Sequence, residues 1–132
     1  MYLLDTDIII YALKGNPSVK ENLQKHMNYA LKISVITLME LYYGAHKSQH
    51  VTANLAKIKA LEDALEIMTV GQDSVEIFGI SKAELEKYGT PLDDFDLIIA
   101  STALTHNLIL VTNNTKHFER IKGLKLENWA II

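Results

Sequence analysis

The sequence predicts an α/β domain built on a largely parallel sheet. Two observations predict it. Short apolar runs such as Tyr2-Leu3-Leu4 and Leu108-Ile109-Leu110-Val111 read as buried strands. Amphipathic stretches separate them, most clearly where Leu55, Ile58, Leu61 and Leu65 form one apolar stripe. In chain order, Tyr2 to Asp5 reads as a short strand, and Asp7 to Leu13 as a helix capped by Thr6 or Asp7 and stopped near Gly15-Asn16. Ser18 to Asn28 follows as a second helix. Lys32 to Val35 reads as a strand, leading after a Thr37 cap into a helix through about Lys47. Thr52 to Leu65 is helical and Ile67 to Val70 a strand. Gln72 to Tyr88 is a helix ended by Gly89, with Pro91 just beyond. Asp93 to His106 is the last long helix and Leu108 to Thr112 a buried strand. A helical turn over Lys116 to Ile121 and a strand around Leu126 close the chain, with Trp129 as anchor.

The 132 residues suit a single domain over positions 1–132. A 48% hydrophobic and 22% charged composition is that of an ordered globular chain. The absence of cysteine excludes disulfides and cysteine zinc sites, and fits a reducing compartment. Neither a leader-like amino terminus nor an apolar stretch of membrane-spanning length is present, so a cytoplasmic protein is expected. The net charge of −3 argues against gripping nucleic acid by bulk charge. It leaves room for a nucleic-acid enzyme whose acids gather around a cation. Lys116, Arg120, Lys122 and Lys125 form the one basic cluster, which taken alone reads as solvated surface.

Three carboxylates stand in apolar surroundings. Asp5 ends the first strand, Glu40 interrupts Ile36-Thr37-Leu38-Met39 and Leu41-Tyr42-Tyr43, and Asp96 opens Leu97-Ile98-Ile99-Ala100. Desolvating an ionised carboxylate costs several kcal/mol unless it is paired. With no comparable buried cations, a shared metal ion explains all three most economically. Parallel sheets bind ligands beyond the carboxyl ends of their strands, where Asp5 and Thr112-Asn113-Asn114 fall. Asp7 reads as a cap at least as readily as a ligand, and Asp93 or Asp94 as cap or dipole partners of their helix. His46 and His50 have metal-pair spacing but read as surface residues at a fraying helix end. No glycine-rich phosphate loop or nucleophile motif is present.

Taken together, Leu3-Leu4-Asp5-Thr6-Asp7, Ile33 through Leu41 with Tyr43-Gly44-Ala45, Pro91 through Ala100, Leu110 through Thr115, Phe118-Glu119-Arg120 and Gly123-Leu124 to Trp129 carry a resemblance. In this order and spacing the chain resembles the PIN-domain ribonucleases of the VapC toxin type. That resemblance implies a three-layer α/β/α domain with a mostly parallel sheet of four to five strands. It implies an endoribonuclease using Mg²⁺ or Mn²⁺, with Asp5, Glu40 and Asp96 as metal-binding acids. Glu119 is the available fourth carboxylate where many relatives carry an aspartate at the position of Asn114. Thr6, Thr112, Asn113 and Asn114 would position water or the scissile phosphate. Asp93 departs from the glycine usual there and is not expected to be a ligand. The implied partners are structured RNA, especially a tRNA anticodon stem-loop, a VapB-like antitoxin and a second copy of the chain. The segments Thr112-Asn113-Asn114-Thr115, Phe118-Glu119-Arg120 and Glu127-Asn128-Trp129 resemble the branch associated with initiator tRNA. Two rivals stand beside this reading. Asp5-Thr6-Asp7 after a strand also resembles the nucleophile motif of haloacid-dehalogenase-type phosphatases, with Asp5 as nucleophile. A non-catalytic RNA-binding regulator on the same scaffold is the other.

Overall fold

The computed structural model describes residues 1–131 and places five parallel strands in one sheet of order β3-β2-β1-β4-β5. The strands are β1 (Tyr2–Leu4), β2 (Leu31–Ser34), β3 (Glu66–Met68), β4 (Ile109–Val111) and β5 (Leu126–Glu127). Successive side chains of a strand point to opposite faces. Leu3 and Leu4, both fully buried, therefore feed different cores. With Leu4 pack Ile8 and Ile9 of α1 (Thr6–Leu13), Val19 of α2 (Pro17–Lys25), Leu38 and Leu41 of α3 (Val35–Lys47) and Ile58 of α4 (Val51–Ala64). On the other face Leu3 meets Leu85 of α5 (Val75–Lys87), Leu97 and Ile99 of α6 (Asp94–Thr105) and Phe118 of α7 (Thr115–Phe118). The three layers and the five strands match the expectation from sequence.

The boundaries show where local chemistry overrode it. Asp5, not Thr6 or Asp7, caps α1, because its carboxylate reaches the Thr6 N–H at 2.8 Å. Ser34, not Thr37, caps α3 through the Ile36 N–H at 3.0 Å, and Val35 belongs to the helix. Thr37 is fully buried one turn further in. Helix α2 stops at Lys25, short of Asn28. A 3₁₀ turn over Gln72–Ser74 precedes α5, splitting one expected helix. Helix α5 ends at Lys87, and Gly89 then takes a φ of 70°, which suits glycine at a helix end. His46 and His50 are both exposed, as surface residues.

Trp129 pins the segment after β5. It is 2% exposed, stacks on His26 at 4.4 Å and lies 5.2 Å from the Tyr2 ring. Its carbonyl accepts from Ser18 Oγ at 2.9 Å, and its indole N–H donates to Glu127 Oε1 at 2.9 Å. Among the described residues no helix is long and apolar enough to cross a membrane. Trp129→Ala is predicted to cost about 3–5 kcal/mol in urea unfolding. A loss under about 1 kcal/mol would show that the last segment does not hold this face together.

Candidate active site

The chain runs from β1 outward through β2 and β3, then returns to lay β4 on the opposite side of β1. The carboxyl ends of β1 and β4 thus flank the reversal of strand order, where sheets of this kind open a crevice. Asp5 follows β1 and Thr112 follows β4.

Asp5 is only 4% exposed. One carboxylate oxygen accepts from the Thr6 N–H, and the other from the Thr112 hydroxyl at 2.8 Å. Thr112, itself fully buried, accepts in turn from the Asn114 N–H at 3.0 Å. In the first turn of α1, Asp7 accepts the Asn113 N–H at 3.0 Å through Oδ2. Its Oδ1 is buried and has no hydrogen-bond partner. Glu40, half-buried on α3, accepts the Thr6 hydroxyl at 2.8 Å, and Thr6 Oγ1 lies 3.0 Å from the buried Thr37 hydroxyl. Asp96, half-buried, stands in the first turn of α6, which Asp93 caps through the Phe95 N–H. Asp96 is thus three residues from the cap and within the first turn, not one turn further into the helix.

These carboxyls sense one another. Burial, then the neighbouring Asp7, pushes the Asp5 carboxyl up to about 7; Asp96 adds to the rise, while the bonds from Thr112 and Thr6 oppose it. Burial likewise raises Asp7, against the stabilising N–H groups of Asn113 and Ile8. Asp96 is raised to about 6 by burial, then by Asp93 and Glu40, with His117 pulling the other way. Asp5, Asp7, Glu40 and Asp96 therefore share one electrostatic neighbourhood at the crevice.

The other expected site residues lie around it in different ways. Thr6 and Thr112 hold carboxylates. Asn113 is exposed, donates to the Tyr11 hydroxyl at 3.3 Å and accepts from Asn128 Nδ2 at 3.1 Å. Asn114 is exposed at the start of α7. Glu119 is exposed at the end of α7 and, among the described residues, makes no hydrogen bond or ion pair with the acids. Two residues near the acids were not among the expected site residues. Asp7 was absorbed by a capping role that belongs to Asp5. His117, next to the basic cluster, carried no local signal at all.

Asp5, Asp7, Glu40 and Asp96 form an all-oxygen donor set, the kind a hard divalent cation takes. The unpartnered Asp7 Oδ1 and the raised Asp5 and Asp96 carboxyls are what such a cation would satisfy. Among the described residues no three acidic or histidine side chains are already drawn into a coordination shell.

The PIN domain family matches residues 2–124. The chain belongs to the PIN domain family. Within this family it is 40% identical over 130 residues to the tRNA(fMet)-specific endonuclease VapC of Shigella flexneri, covering 98% of each chain. It is 42% identical over 131 residues to a Ribonuclease VapC of Haemophilus influenzae, again covering 98% of both. In solved structures its PIN fold superposes on VapBC2 from Rickettsia felis, bound to a promoter DNA fragment, with a TM-score of 0.92. That match has 39% identity and covers 97% of this chain and 98% of the other.

The raised carboxyls make a signed prediction for the metal-free protein. Between about pH 4 and 7 the folded state holds protons that the unfolded chain has released, so stability falls as pH rises through that window. Asp5→Asn keeps the acceptor for the Thr6 N–H, replaces the acceptor facing Thr112 with an amide donor that the Thr112 hydroxyl can accept, and removes the buried charge. In chelator, thermal unfolding at pH 7.5 is predicted to show the variant more stable by about 1–3 kcal/mol, with near-equality at pH 4.5. A variant less stable at pH 7.5 than at pH 4.5, relative to wild type, would contradict the assignment.

Proposed function

We propose that this PIN domain is the toxin of a VapB–VapC-type pair, an endoribonuclease that hydrolyses RNA phosphodiesters with Mg²⁺ or Mn²⁺. The observation that carries the reading is the carboxylate cluster at the β1–β4 crevice, with its unpartnered buried oxygen. Asp5, Asp96, Glu40 and Asp7 would hold the cation. When bound, a divalent cation supplies charge neutralisation at the phosphodiester and a more acidic water. The chain's own residues do the positioning. Thr112 and the Thr6 N–H hold both Asp5 oxygens, so that carboxylate cannot rotate away. The Thr6 hydroxyl aims Glu40, which is placed to take a proton from the attacking water. Asn113 and Asn114 present exposed side-chain amides at the crevice rim, suited to a substrate phosphate or a splayed base. Glu119 belongs to the periphery in this scheme.

The substrate is structured RNA, specifically the anticodon stem-loop of initiator tRNA, and the place of action is the cytoplasm. The 40% identity to a tRNA(fMet)-specific endonuclease supports this choice. A VapB-like antitoxin is the cognate partner, supported by relatives solved as VapBC complexes. A groove of about 260 Å³ lined by Ile10, Leu13, Leu41 and Lys57 has Glu40 on its wall. Its apolar floor suits an antitoxin segment that ends by laying a basic residue over the acids. An apolar hollow lined by Val70, Val75, Phe78 and Ile98 supports a homodimer. Against the phosphatase rival stands the match of residues 2–124 to the PIN domain family.

The test is cleavage of purified initiator tRNA with end mapping. The wild type is expected to cut in the anticodon loop with Mg²⁺ and to stop in chelator. Asp5→Asn and Asp96→Asn should each lose at least about 100-fold, and Asp7→Asn should lose more than Glu119→Gln. Undiminished cutting by the folded variants, or in chelator, would overturn the metal-site reading. Tight tRNA binding without any cutting would favour the RNA-binding regulator.

A further inference from the structure

A further groove does not lie over the acids. It holds about 820 Å³ and runs along α5 from Ile77 to Tyr88, with the segment Arg120 to Lys122 as its opposite wall. The eleven helical rises between Ile77 and Tyr88 give it a length of about 16 Å. Three observations bear on its occupant. The chain's single arginine, Arg120, and Lys122 line it, and among the described residues neither makes a salt bridge. At one end Tyr88 is 71% exposed, with the Lys87 ammonium 5.9 Å from its ring centroid. From that same end the chain continues into α6, which carries Asp96. Thr90 lines the groove and begins the link to the Asp93 cap of α6, while the Arg120 wall is joined to Thr112 by α7, whose His117 acts on Asp96.

We propose that this groove is an RNA exosite that holds the phosphate backbone of the substrate outside the scissile loop. The proposal rests on the ribonuclease reading above and extends it to a second surface. A guanidinium and an ammonium on one wall suit consecutive phosphates, and Arg binds them in a planar fork. Tyr88 offers a stacking face for a ribose or an unpaired base. Glu84 stands on the α5 wall, so the anionic backbone lies against Arg120 and Lys122 and its less charged side faces α5. A chain of net charge −3 needs such a local concentration of cations, because its overall field repels RNA. Two members of the sequence cluster, Arg120 and Lys122, thereby acquire a structural address.

The experiment is fluorescence anisotropy of labelled initiator tRNA with purified protein in chelator, where no cleavage interferes. Arg120→Ala/Lys122→Ala is expected to weaken binding about tenfold near 0.1 M salt. The salt slope of log affinity should fall by about 1.4, two phosphates' worth. Lys20→Ala/Lys59→Ala makes the same change in net charge on α2 and α4 and should leave affinity within about twofold. Equal losses in both double variants would reduce the effect to bulk charge and overturn the exosite. Unchanged affinity together with a changed oligomeric mass by light scattering would assign the groove to a second copy instead. A protein that binds tRNA through the groove yet never cuts it would sink the nuclease reading and leave the exosite standing.

Discussion

The Asp5 carboxylate is tied at both ends, to the Thr6 N–H that opens α1 and to the Thr112 hydroxyl that ends β4. Through these two bonds one side chain fixes the first helix to the first strand and both to the strand across the topological reversal. Its backbone N–H meanwhile completes the β1–β4 ladder through Val111. The remaining site residues hang from the same two threonines. Thr6 passes the constraint to Glu40 and Thr37, and Thr112 passes it to Asn114. Position in the crevice is thus set by strand ends and helix starts rather than by mobile loops, as a precise site requires.

This arrangement is electrostatically expensive. Three neighbouring carboxyls are pushed upward chiefly by burial, and one oxygen of Asp7 has no partner. A protein selected only for stability would not keep them, since an uncompensated buried acid costs several kcal/mol. Such local violations of folding rules concentrate at functional sites. The surrounding apolar layers, with Leu3 and Leu4 feeding opposite cores, provide the stability that tolerates the conflict. Function and folding here pull in opposite directions on the same residues.

Much of this was legible in the sequence, for identifiable reasons. Apolar runs and helical stripes report layer packing directly, so the strand and helix order and the parallel sheet followed from them. Asp5, Glu40 and Asp96 stood out because each breaks an apolar context. Caps were less legible, since Asp5, Thr6 and Asp7 are all competent and only the strand register decides among them. Asp7 was hidden for that reason: its partner Asn113 lies 106 positions away and reaches it only through the β1–β4 pairing. The groove beside α5 was invisible too. Tyr88 and Arg120 are far apart in the chain, and no periodicity links them.

The central claim is that the crevice acids share a divalent cation, and the most direct measurement is Mn²⁺ binding followed by electron paramagnetic resonance at neutral pH. The account predicts saturable binding by the wild-type protein, lost in folded Asp5→Asn and Asp96→Asn and weakened in Asp7→Asn. Equal Mn²⁺ binding by all four proteins, or none by the wild type, would contradict it.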